Sequence, residues 1–224
     1  MDMRHDFPMT RRRQGGVALL TALVLMLAVL MTGIAAARTA LQGARAAESE
    51  RDRLLALQMA EAGLADAEAD IEGGAAPASA RSAALASGDP AAFADGCAGG
   101  RPYDGLCRPA AGLARQAELL ADPDGPAVRF GAYTGRRMPE GEGGLPAAPP
   151  RYLIELMPPG GPGHLYRITA LGSGSTEHAQ VALQAFYRKP AEAGAAGRRI
   201  GWRELGNWAA LGGTGAPPGG EGRR

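Results

Sequence analysis

The chain has 224 residues and a formal net charge of +1, from 24 basic and 23 acidic side chains. Its charge balance and its low aromatic content, 5%, exclude the basic, aromatic-lined surface of a nucleic-acid binder. A chain of this length holds one domain with a tail, and so few aromatics imply a small core.

The first element is hydrophobic. Arg11, Arg12 and Arg13 are followed by residues 14 to 37, which carry no charge. That run exceeds the roughly 20 residues a helix needs to cross a bilayer. The arginines before it favour a cytoplasmic N-terminus, a tendency that Arg38 and Arg45 on the other side weaken. A secretory signal cut after Ala35-Ala36-Ala37 is the competing reading. The apolar run is longer than the roughly 7–15 residues of a signal core, and the helical pattern runs through the proposed cut.

Beyond Arg38 that pattern continues, with no proline between Pro8 and Pro77. Leu54, Leu57, Leu64 and Ile71 recur at helical spacing, with Met59, Ala60 and Ala67 near the same stripe. Arg51, Arg53, Glu61, Asp66, Glu68 and Asp70 provide most of the polar remainder, and the acidic residues read as a solvated or subunit-facing surface. Gly73-Gly74, with Pro77 just beyond, supplies a stop. The prediction is one helix from Val17 to Glu72, on the order of 80 Å long at ~1.5 Å per residue. Residues 17–37 form its membrane-spanning half, and 38–74 an amphipathic half that packs on the domain C-terminal to it.

Ala75 to Pro90 reads as a linker or a short helical piece. Cys97 and Cys107, the only cysteines, enclose "CAGGRPYDGLC" on the non-cytoplasmic side of the predicted span. A disulfide is the expectation in an oxidising compartment. Zinc wants four ligands in close pairs, and His5, His164 and His178 are scattered. Strands are predicted at Ala127–Gly135, Arg151–Met157, His164–Gly172 and Ala179–Lys189, with turn-rich "PPGGPG" and "GSGSTE" separating the last three. Met138 to Pro150 reads as a loop. The expected fold is α+β: a long N-terminal helix packed on a small antiparallel sheet, in a head spanning 75–189. Residues 190–224 are Gly/Pro-rich but hold Trp202 and Trp208, so part of this segment should dock.

No nucleophile elbow, zinc-protease helix or P-loop is present. No catalytic residue, metal site or cofactor is predicted.

The Arg-rich leader, "VALLTALVLMLAVLMTGIAAART" and "RDRLLALQMAEAGLADAE" resemble the N-terminus of PilX-type minor pilins of type IV pilus systems. "GLC", "YLIEL", "LYRITALGSG", "AQVALQAFYRK" and "WREL" agree, so the resemblance spans most of the chain. It implies a type IV pilin-like fold and a cytoplasmic leader, residues 1–16. A prepilin peptidase would cut after Gly16 and usually methylate the new amine of Val17; a cut after Gly15 is the less family-like alternative. Major pilins carry Glu as the fifth residue of the mature chain, where it is thought to neutralise a neighbour's N-terminal amine. Here that residue is Thr21, or Leu20 under the other cut. PilX-type proteins share this lack, which implies a place at or near the filament tip. The implied partners are other minor pilins, the major pilin, a tip-associated adhesin, the prepilin peptidase and the inner membrane, with a periplasmic head before assembly. A type II secretion minor pseudopilin and an unrelated secreted or membrane-tethered binding protein are the alternatives.

Overall fold

A computed structural model describes residues 16–109, 112–139, 144–192 and 194–208. Apart from Gly16, the leader segment 1–16 lies outside these residues, as does the segment 209–224. The chain divides into two compact units, Met1–Ser49 and Glu50–Arg224.

Helix α1 runs from Val17 to Ile71. In the first unit its side chains are exposed throughout. In the second unit one face is buried: Ala56, Ala60, Gly63, Leu64, Ala67 and Ile71. This stripe is made of smaller residues than expected. Leu54 is 47% exposed, and the buried face also carries Asp66 and Asp70.

The second unit holds a six-stranded sheet: β1 Leu106–Cys107, β2 Val128–Arg129, β3 Arg151–Leu156, β4 His164–Ser173, β5 Gln180–Lys189 and β6 Arg198–Glu204. The order is β1-β3-β4-β5-β6, with β2 also on β3. All pairs are antiparallel except the short parallel pair β1–β3. Three of the predicted strands stand. The strand predicted at Ala127–Gly135 shrinks to two residues, because Gly131 and Gly135 have positive φ and the chain turns between them.

Alternation sorts the sheet into two faces. Tyr152, Ile154, Tyr166, Ile168, Ala170, Val181, Leu183, Ala185 and Tyr187 join the core with α1. Leu153, Leu171 and Ala182 join a second cluster with Cys97, Cys107, Leu205, Trp208 and helix α3, Leu113–Ala121. Sequence reasoning assigned neither α3 nor β6. Helix α2, Ala80–Ser87, takes the helical of the two readings of Ala75–Pro90. Ser79 accepts from the Ser82 N–H at its start, and Gly88 ends it at φ 61°, a left-handed conformation suited to glycine.

Close approach sets how α1 meets the sheet. A Cβ on Gly172 would collide with the backbone of Ala56 and Ala60, so glycine here lets the helix lie against β4.

Candidate functional site

The apolar half of α1 is the first candidate surface. Its most hydrophobic window has mean hydropathy 2.6 and none of it is buried. Its two threonines, and Thr39 just beyond it, bond back to their own helix. Thr21 Oγ1 donates to the Ala18 carbonyl at 3.0 Å, Thr32 Oγ1 to Val29 at 2.9 Å and Thr39 Oγ1 to Ala35 at 3.0 Å. A hydroxyl satisfied by its own helix adds little cost in hydrocarbon. Gly16 sits in the turn before the helix and Val17 is its first residue, 68% exposed. Thr21 lies one turn on and offers a neutral hydroxyl, already bonded to the Ala18 carbonyl.

The head is organised around acidic groups on the buried face of α1 and in the turn that follows it. Asp70 binds Arg81 through both carboxylate oxygens, at 2.7–3.0 Å, and accepts from Tyr152 Oη at 3.0 Å. Arg81 also donates to the carbonyls of Pro102 and Asp104, and its guanidinium lies 3.8 Å over the Tyr133 ring. One buried cation thus ties α1, α2, the cysteine loop and the turn after β2. Burial, with the Asp70 charge, pushes the Tyr152 hydroxyl well above the usual tyrosine range. Asp66 accepts from the Gly131 N–H at 2.7 Å and from the Thr134 hydroxyl. Glu72 accepts from Lys189 at 2.6 Å, Tyr187 at 2.8 Å and the Gly197 N–H at 3.0 Å. Partial burial opposes ionisation of Glu72, but these donors outweigh it and hold the carboxyl below its ordinary range.

The other sheet face has its own polar thread. Glu155 accepts from Arg167 at 2.6 Å and from Gln116 of α3 at 2.6 Å. Gln116 accepts from Thr169 at 3.1 Å, and Thr169 from Gln184 at 3.3 Å. Among the described residues no buried side-chain polar atom lacks a partner.

Cys97 and Cys107 form a disulfide with a Cα–Cα distance of 4.2 Å. It closes the loop whose carbonyls hold Arg81. The structure therefore joins the two predicted cysteines, while Gly16, Val17 and Thr21 lie along the start of one helix. Sequence reasoning missed Asp66, Asp70, Arg81 and Glu155 as organising residues. The signal for the aspartates was present: they lie at helical spacing with Gly63, Ala67 and Ile71.

A cavity of 480 Å³ lined by Glu72, Ser82, Ser87 and Lys189 brings polar groups together without activating one. Glu72 and Lys189 neutralise each other, and Ser82 Oγ lies within hydrogen-bond distance of the Gly73 and Ala76 carbonyls. Among the described residues no group of three or more His, Cys, Asp or Glu could hold a metal ion.

Residues 103–189 match the family model described as type IV pilus assembly protein PilX, C-terminal. The matched segment runs from the cysteine loop through β5, and so takes in α3 and most of the sheet. No curated protein and no solved structure matches the chain.

Proposed function

We infer from this match that the chain is a type IV pilus assembly-related protein with a PilX C-terminal domain, and we propose that it acts as a minor pilin in a tip or priming complex. The match on the head carries the reading; the helix beneath it supplies the means. Prepilin peptidase cuts after Gly16 on the cytoplasmic side and methylates Val17. Residues 17–37 then hold the protein in the inner membrane with the head in the periplasm. This topology is supported by the long exposed apolar run and by a disulfide suited to an oxidising compartment.

In the filament the same apolar surface packs against other pilin helices. Thr21 brings no carboxylate to a neighbour's amine, and an unpaired charge in an apolar filament core would cost several kcal/mol, on the order given for buried ions. A subunit with no predecessor has no such amine to meet, so Thr21 supports a place at the tip. The partners are other minor pilins, the major pilin and a tip-associated adhesin, and the role is structural rather than catalytic.

The test is the N-terminal sequence and mass of the mature protein from its native membrane, with and without the host's prepilin peptidase. The expected result is a chain starting at Val17 that disappears with the peptidase. A start at Arg38, or an intact Met1, would remove the assembly reading and favour a tethered binding protein.

A further inference from the structure

Strand β6 is the terminal strand of the sheet. Its inner edge pairs with β5, and among the described residues its outer edge carries no backbone partner. Exposed edges are usually blunted by charge, by bulges or by a covering loop. A bulge does interrupt β6 opposite Phe186/Tyr187, yet regular pairing with β5 runs from Gly201 to Glu204. This strand also presents two large apolar side chains: Ile200 and Trp202 are each 54% exposed.

Two ion pairs tie the strand to α1. Glu204 pairs with Arg53 of α1 at 2.7 Å, and Arg199 with Glu68 of α1 at 2.6 Å. The two ion pairs pin both ends of β6 along the helix and leave Trp202 between them uncovered. A tryptophan ordered this way and left in water is a poor use of a strand unless something covers it.

Charge selects the occupant. Arg198, Arg199 and Arg203 face one acid, Glu204, within the strand. Arg199 and Glu204 are neutralised by α1, and Arg203 reaches the neutral Gln184 at 2.9 Å. The edge therefore offers an excess of positive charge beside Ile200 and Trp202. A second copy would bring the same positive excess to the edge, and in the register centred on Gly201 it would set Arg199 opposite Arg203 on both sides of the dyad, so like charge disfavours it. The chain's own residues 209–224 contain Pro217-Pro218 and end in Arg223-Arg224, which disfavours a strand and repeats the sign of the edge.

We propose that β6 docks an extended segment of another protein, in which apolar residues alternate with Asp or Glu, as an added strand. The backbone edge would supply the hydrogen bonds, Ile200 and Trp202 the apolar contact, and Arg198 and Arg203 the choice of an acidic segment. This rests on the head alone and does not depend on filament entry.

The test uses the full chain in detergent micelles and two synthetic probes, Val-Glu-Val-Asp-Val-Glu-Val and Val-Lys-Val-Arg-Val-Lys-Val. Backbone hydrogen exchange is read across β6, with β3 and β4 as the folding control. The acidic probe should slow exchange at β6 by about tenfold or more, a measurable gain in local protection, while the basic probe does nothing. Ile200→Ser with Trp202→Ser should abolish the effect, and Arg198→Glu with Arg203→Glu should transfer it to the basic probe, each leaving exchange in β3 and β4 unchanged. Equal response to both probes, or none, overturns the proposal. So does protection that grows with protein concentration alone, which would identify a second copy. Protection present without probe and lost on deleting 209–224 would identify the chain's own tail and overturn it equally.

Discussion

Arg81 is the side chain on which most of the head converges. It is 2% exposed, and it neutralises Asp70 while satisfying two loop carbonyls. Arg81→Met leaves a buried carboxylate with Tyr152 as its remaining donor among the described residues. The expected loss is about 3–5 kcal/mol, as for breaking a buried pair from one side. Urea unfolding of the full chain in detergent should show it, and adding Asp70→Asn should recover part. Glu72 makes a second prediction. Its folded pKa lies below the ordinary value of 4.5, so its contribution is fully present above that value and is lost as pH falls through the lower, folded one. Acid should loosen the anchoring of Lys189 and Gly197, seen as lower protection at 195–199, relative to the intrinsic exchange rate at each pH, below about pH 4.5; Glu72→Gln should flatten that dependence. Neither residue was legible as structural from sequence. A charged residue on an amphipathic helix reads as solvated until the partner that buries it is known, and Arg81 is distant from Tyr133 and Tyr152 in the chain.

At the scale of elements, α1 and the sheet meet through small residues. Gly172→Val would drive a side chain into the backbone of Ala56, Ala60 and Met59, which cannot move aside without shifting the helix. The expected cost is about 3 kcal/mol or more, at the upper end of overpacking. The measurement is a lowered urea midpoint, with faster exchange in residues 56–71. The helix itself was legible, because its period persists and no proline interrupts it. The strands β3, β4 and β5 were legible because they alternate between turns. Helix α3 was passed over although Leu113, Ala117 and Leu120 keep helical spacing; its nine residues are too short for periodicity to stand out. Strand β6 was not read as one because an edge strand that buries little need not alternate.

For the whole molecule, the apolar half of α1 and the position of Thr21 bear on assembly. Thr21→Glu installs a carboxylate on the first turns of a helix whose surroundings would be apolar. If the protein starts the filament, this change should reduce pilus number several-fold, on the scale of an unpaired buried charge, and immunogold labelling of the unaltered protein should mark pilus ends. Unchanged piliation together with even labelling along the shaft would refute tip placement.

The sequence by itself determined the long helix, its change from an apolar to an amphipathic half, the cysteine pair and three of the strands. These depend on periodicity, on spacing along the chain and on the absence of breakers, all of which are local. Only the tertiary structure decided which side of α1 is buried, that Asp66 and Asp70 lie on it, that Arg81 joins four parts of the head, and that β6 closes one end of the sheet with Trp202 uncovered. Burial of a charge depends on a partner brought from elsewhere in the chain, and an edge exists only once strand order is set. Neither is a property of a segment read alone.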